Sequence, residues 1–256
     1  AGCRYFAVAT PDEAFELRAS GFRGSVLVIG PAIGSCAPLY VKHDIETVCA
    51  DEGFLNQLNA CGVEQGRRVK VHFKIETGLG RSGFAPEHFL AKAGKFYSLP
   101  GVEAAGIMSH FAVADEGRSG FTERQFERFS RVLRTLEARG INVGMRHICN
   151  SSGTLLYPRM HLDAVRVGKI LYGFCPKTVE KPVELKCSFK VRSEITSIRM
   201  AAIGESFGYG LRYVCRDDDL IAVVPIGYAD GYSRMYMGKS YALVRGHRVP
   251  VVGSIC

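Results

Sequence analysis

Tyr209 stands between Gly208 and Gly210 in the string GESFGYGLRY (204–213), and PIGYADGY (225–232) follows close behind. Glycine on either side gives backbone that turns sharply and approaches a ligand closely. A phenol titrates near 10 in model peptides, so it acts as a base only with help from its neighbours. Taken alone, the motif reads as a glycine-bracketed aromatic at a strand end. Other residues able to do chemistry recur at the ends of apolar runs: Lys74 then Arg81, His110, Asn150 and Ser151, then Arg166, Gly168 and Lys169. A serine hydroxyl and glycine-exposed N–H groups are suitable donors for a phosphate.

Such residues act together only if a scaffold gathers the strand ends. Seven runs read as strands: RYFAVAT (4–10), SVLVIG (25–30), ETVCA (46–50), VKVHFKIE (69–76), AAGIMSHF (104–111), MRHICNS (145–151) and AVRVG (164–168). Between them lie the helical patterns PDEAFELRAS (11–20), DEGFLNQLNACG (51–62), PEHFLAKAGKFYS (86–98) and FTERQFERFSRVLRTLEARG (121–140). The last carries Phe126, Phe129, Val132, Leu133 and Leu136 at helical spacing, with Gly140 suited to its C-terminal cap. Repeated βα units with fully apolar strands predict a parallel sheet with helices outside it. The fold class expected is an α/β barrel, (β/α)8 and TIM-like, with its first strand missing upstream of Ala1. Catalytic groups in such barrels sit where strands end. With the missing strand counted first, Ser151 and the Gly168–Lys169 backbone follow strands seven and eight, where phosphate is often held.

After about Pro182 the texture changes. The runs KCSFKVRSEITSIRM (186–200), LIAVVPIGYA (220–229) and YALVRGHRVPVVG (241–253) alternate, with glycine turns and no clear helix, which predicts an all-β C-terminal domain. The expected division is a barrel over 1–184 and a β domain over 185–256, each cut at its outer end. CPKTVEKPVE (175–184) is the expected linker, because its prolines discourage helix and central strand.

Composition narrows the class of function. The chain has 256 residues, 47% hydrophobic and 23% charged, with a net charge of +8. That is the make-up of an ordinary globular protein with ample core. The basic residues are dispersed and form no recognised nucleic-acid motif, so no nucleic-acid partner is expected. No apolar stretch is long enough to span a bilayer, and no membrane partner is expected. Nine cysteines, an odd count without CxxC or zinc spacing, predict free thiols, a reducing compartment and no metal site, hence a cytoplasmic protein.

At this point the chain resembles the alanine racemases, the barrel-plus-β-domain enzymes that use pyridoxal 5′-phosphate (PLP). The resemblance runs along essentially the whole chain. It is carried by VHFKIETGLGRSGF (71–84), SHFAVADE (109–116), HICNSSGTLLYP (147–158), HLDAVRVGKILYG (161–173), GESFGYGLRY (204–213) and PIGYADGYSR (225–234). It implies racemisation of L- and D-alanine by two bases, supplying D-alanine for peptidoglycan. Tyr209 takes the role of the base on the L face, and a lysine acts on the D face. His110 is implied to hydrogen-bond that tyrosine. Arg166 is implied to face the cofactor's pyridine nitrogen, and a guanidinium cannot give that nitrogen a proton. Arg81 is implied to touch the cofactor's phenolic oxygen and the substrate carboxylate, with Lys74 carrying a carbamate that orients it. Asn150, Ser151, Gly168 and Lys169 match cofactor-holding positions. The family's tyrosine enters the opposite subunit, which implies a homodimer with shared sites and a small amino-acid substrate.

The match departs from the pattern in places. The family's cofactor-bearing lysine sits in a VKANAYGHG-like string, and neither Lys42 nor Lys74 has that context. The expectation is a racemase in the full-length parent and an inactive 256-residue piece. Glu76 stands where aspartate is usual, Ser82 where leucine is commoner, and Lys169 where an apolar residue is usual. The alternatives are a serine or broad-specificity racemase, a PLP decarboxylase of similar architecture, and a catalytically inactive interaction domain.

Overall fold

Six strands run parallel in chain order: β1 (Tyr5–Val8), β2 (Ser25–Val28), β3 (Glu46–Cys49), β4 (Val69–Lys74), β5 (Val102–Met108) and β6 (Met145–His147). Helices α1 (Pro11–Ala19), α2 (Ala37–Lys42), α3 (Glu52–Glu64), α4 (Pro86–Tyr97), α5 (Gly120–Ala138) and α6 (Ser151–Leu156) lie between or after them. The computed structural model describes residues 2–116, 120–179 and 183–256. The chain divides into two compact units, Ala1–Ser188 and Phe189–Cys256. Residues 180–182 of the expected linker lie outside the described residues.

The helices start where their sequences offer caps. Thr10 and Glu13 form a reciprocal capping box ahead of Pro11, and Asp51 accepts the Phe54 N–H at the start of α3. The helix α5 buries Phe129, Val132, Leu133 and Leu136 and leaves its charged residues outside. Gly140 lies beyond its end at φ +69°, the left-handed turn that closes a helix at little strain.

The strands have two faces with different chemistry. In β4 Val69, Val71 and Phe73 join the buried cluster shared with the helices. Phe73 there packs with Phe84, Phe89 and Phe96 at ring-centroid distances of 6.3, 5.2 and 6.1 Å. The alternate residues His72 and Lys74 point the other way and are buried too. On that inner face Leu27, Val48 and Met108 form a separate small apolar cluster with Tyr5 and Ile29. The expectation of fully apolar strands therefore fails for β4, because the barrel interior holds a polar network.

The seventh expected strand, 164–168, makes a single bridge, Ala164 to His147. The Asp163 carboxylate captures the Arg146 backbone N–H at 2.8 Å and grips the Arg146 guanidinium with both oxygens. One ladder donor is thus taken by a side chain, and pairing does not extend into a strand. The helix α2 is an element the hydrophobic pattern did not suggest, being only 6 residues long.

The second unit is built of antiparallel pairs: β7 (Ser197–Ala201) with β10 (Asp219–Val223), β8 (Ser206–Phe207) with β9 (Tyr213–Val214), and β11 (Tyr241–Val244) with β12 (His247–Pro250). Of the run 186–200 only its end becomes strand; 186–196 has no regular structure. Short 3-10 turns replace helices.

Candidate active site

The end of β4 places Lys74, and the glycine-rich loop after it doubles back. Phe84 N–H donates to the Lys74 carbonyl at 2.8 Å and Glu76 N–H to the Phe84 carbonyl at 2.9 Å. Gly83, at φ +138°, is required here: a Cβ would lie 2.8 Å from the Glu76 nitrogen. The loop wraps the Glu76 carboxylate. Burial works against its charge, but the N–H groups of Gly80, Gly78, Leu79 and Arg81 hold it below the usual carboxylate range. Arg81 is thereby presented at an exposed loop position. Lys74 Nζ, 5% exposed as a residue, donates to Ser82 Oγ at 2.7 Å. Burial first, then the Arg81 and Arg166 charges, lowers its pKa, partly opposed by Glu76.

Arg166 is the hub. Its backbone N–H donates to the Cys149 carbonyl at 2.9 Å, which fixes the residue beside the end of β6. Nη1 donates to His147 Nδ1 at 2.6 Å. Nη2 reaches the Ser109 carbonyl at 2.7 Å, the Ile148 carbonyl at 3.0 Å and His110 Nδ1 at 3.1 Å. Nε is shielded from solvent and has no partner among the described residues. Burial lowers the guanidinium pKa to about 10, so it stays charged near neutrality.

A guanidinium has only donors, so the Nδ1 atoms of His147 and His110 face it as acceptors. Each neutral imidazole then carries its proton on Nε2. Burial, reinforced by the Arg166 charge, lowers His147 to about 2 and His110 to about 4. Arg81 and Lys74 add smaller contributions at His110. Gln125 of α5 locks the loop around it, donating to the His110 carbonyl at 3.1 Å and accepting the Ala112 N–H at 2.9 Å.

The turn after β6 carries the expected anion-holding residues. Asn150 uses its side-chain oxygen to cap α6, accepting the Gly153 N–H at 2.9 Å. Ser151 Oγ accepts the Gly168 N–H at 3.0 Å, which joins the two segments and leaves the serine O–H free to donate elsewhere. Lys169 begins a 3-10 turn with its side chain exposed. In the first unit, then, Lys74, His110, Asn150, Ser151, Arg166 and Gly168 meet at the strand ends.

Tyr209 belongs to the second unit and is 76% exposed. Its flanking glycines both have φ +76°, and a Cβ on Gly208 would lie 2.8 Å from the Ser254 nitrogen. The Ser254 hydroxyl donates to the Tyr209 carbonyl at 2.7 Å. A glycine-bent turn thus leaves Tyr209 exposed.

Sequence reasoning did not single out His147, His72, Glu46 or Gln125. The available signal was the polar residue at alternate positions of VKVHFK, which a two-residue period sends to the barrel interior.

Comparisons with known proteins agree along the whole length. The family model for the alanine racemase N-terminal domain matches residues 1–176, and that for the C-terminal domain matches 188–256. The chain is 37% identical over 257 residues to alanine racemase 2 of Caldanaerobacter subterraneus subsp. tengcongensis, covering 100% of this chain and 66% of that protein. It is 36% identical over 256 residues to the alanine racemase of Desulfovibrio desulfuricans, covering 100% and 69%. The structure of the Clostridium difficile 630 alanine racemase superposes with a TM-score of 0.91 at 32% identity, over 98% of this chain and 66% of that one. The chain spans about two thirds of the length of these relatives.

Proposed function

The chain belongs to the alanine racemase family, and we propose that the protein containing these residues interconverts L- and D-alanine with pyridoxal 5′-phosphate. The observation that carries the reading is the shielded Nε of Arg166, which has no partner among the described residues. A buried donor without an acceptor is costly unless a ligand satisfies it. A pyridine nitrogen in its unprotonated form is an acceptor of the right kind. The cofactor, when bound, supplies an electron sink that acidifies the substrate α-proton.

The chain's own residues then divide the work. Arg166 donates to the ring nitrogen through Nε and cannot protonate it, which keeps the sink weak and favours return of the proton to Cα. Ser151, through its free O–H, and the Asn150 and Gly168–Lys169 segments hold the phosphate. Arg81 holds the substrate carboxylate and the phenolic oxygen. Lys74 is a buried amine with a lowered pKa, the state that reacts with carbon dioxide to form the carbamate that would orient Arg81. His110, with Nδ1 turned to Arg166, leaves Nε2–H to donate to the phenolic oxygen of the partner subunit's Tyr209, which favours the phenolate. Tyr209 moves the proton on the L face.

The second base is assigned to a lysine outside these 256 residues, so the piece alone is proposed to be inactive. The exposed Tyr209 suits a homodimer in which it enters the partner's site. The buried Cys49, Cys149 and Cys215 are free thiols, which suits a cytoplasmic enzyme supplying D-alanine for peptidoglycan. The test is to add PLP to the full-length protein and follow interconversion of alanine, serine and lysine. Faster turnover of alanine supports the reading, and no isomerisation of any of the three ends it.

A further inference from the structure

Behind Arg166 a chain of side chains crosses the inner face of the sheet. His147 Nε2 lies 2.8 Å from His72 Nδ1. His72 Nε2 lies 3.0 Å from Glu46 Oε2 and 3.0 Å from the Tyr5 hydroxyl. Tyr5 also donates to Glu46 Oε2. His72, His147 and Glu46 are 0%, 2% and 5% exposed, so none is held there by solvent. The inward groups come from β1, β3, β4 and β6, and β5 lies between the two histidines. At the crossing point β5 has Gly106, where a Cβ would sit 2.3 Å from His72 Nδ1. The absence of a side chain there is what lets the two imidazoles touch.

The proton order along this chain is forced. Arg166 only donates and Glu46 only accepts, so with both ends in place His147 accepts at Nδ1, bears its proton on Nε2 and needs His72 to take it. His72 must then accept at Nδ1, bears its own proton on Nε2, and donates it to the Glu46 carboxylate. Glu46 stays ionised: burial opposes its charge, but hydrogen bonds from His72 and Tyr5 lower its pKa. Burial first, then Glu46, raises the Tyr5 phenol far above its usual range, so Tyr5 remains a donor. Every hydrogen bond points from the cation to the carboxylate through two neutral rings. A buried charge is tolerated when it is paired and hydrogen-bonded, and here the compensation is relayed over four residues.

We propose that Glu46 and His72 are positioning residues which, through the tautomer of His147, hold the Arg166 guanidinium with Nε aimed at the cofactor ring they never touch. The inference rests on the cofactor reading above for its purpose, though not for the proton order itself. A reversed His72 would put a second N–H against His147 Nε2, return the His147 proton to Nδ1, and set it against Arg166 Nη1.

The test uses the full-length protein labelled with 15N-histidine, first without and then with PLP. In the parent, long-range proton–nitrogen spectra are expected to show His72 and His147 as single Nε2–H tautomers. His72→Phe and Gly106→Ala are expected to leave His147 a mixture of tautomers and to lower kcat about 10- to 100-fold, with KM changed less than about threefold, as for other orienting partners. His72→Gln keeps an acceptor for His147 and a donor for Glu46, and is expected to restore the single tautomer and most of kcat. A single Nε2–H tautomer of His147 in both His72→Phe and Gly106→Ala would overturn the proposal. So would a His72→Gln protein as slow as His72→Phe. If His72→Phe does not fold, Gly106→Ala and His72→Gln decide the matter by the same readouts. Ordered tautomers in a parent that racemises nothing would overturn the functional reading and the purpose proposed, while upholding the proton order.

Discussion

The two units keep their polar and apolar groups in opposite places. In Ala1–Ser188 the apolar residues are sealed between strands and helices, and the opposite face of the same strands buries a charged network. In Phe189–Cys256 the strands carry similar apolar residues, yet Ile198, Met200, Leu220 and Leu243 are 59 to 66% exposed. Only Ala201, Cys215 and Ile255 count among its buried apolar residues. A parallel sheet must have both faces covered, whereas an antiparallel pair persists with open faces. The difference separates two settings: Arg166 and His110 are tied into the shielded network of the first unit, whereas Tyr209 stands exposed in the second.

The sharpest way to break this comparison is to cut equivalent side chains in the two units. Phe73→Ala, within the ring cluster, is expected to lower stability by about 3–5 kcal/mol in urea unfolding of the full-length protein. Leu243→Ala, at 66% exposure, is expected to change it by less than about 0.5 kcal/mol in the same measurement. Equal losses would mean the exposed strands have a buried role.

Acid should separate the units next. In the first unit His147 and His110 are neutral when folded, held down to about 2 and about 4. Unfolded, both bind protons below about pH 6.5. The unfolded state therefore gains protons as pH falls below 6.5, and acid favours it. Stability present at pH 7 is expected to fall by up to about 1.4 kcal/mol per pH unit from His147 alone between pH 6 and 4. Titrating the unfolding midpoint checks this, and His147→Gln should flatten the slope. A small effect is expected at the surface of the second unit as well. Arg248 lies 4.3 Å from the Tyr241 ring centroid, and Arg248→Ala is expected to cost about 0.5–1 kcal/mol at most.

Much of this was legible in the sequence, and the illegible parts have physical reasons. The βα alternation read correctly because helices such as α5 carry a clear stripe. The strand at 164–168 did not form because Asp163 competes for the Arg146 N–H, an interaction that strand propensity does not contain. Residues with chemistry at strand ends stood out in order, and resemblance to a family gave them roles. The Glu46–His72–His147 relay was invisible because its partners are 26 and 75 residues apart and meet only once the sheet curls. Gly106 looked like any strand glycine until its missing Cβ proved to be the gap between two rings.

The central claim is that Tyr209 is the base on the L face of an alanine racemase. It is tested most directly by α-proton exchange of L- and D-alanine in heavy water, using the full-length protein with PLP bound and the Tyr209→Phe variant. The account predicts that exchange from L-alanine falls at least about 100-fold, that exchange from D-alanine falls much less, and that PLP remains bound. Equal loss from both isomers, or loss of PLP itself, would contradict it.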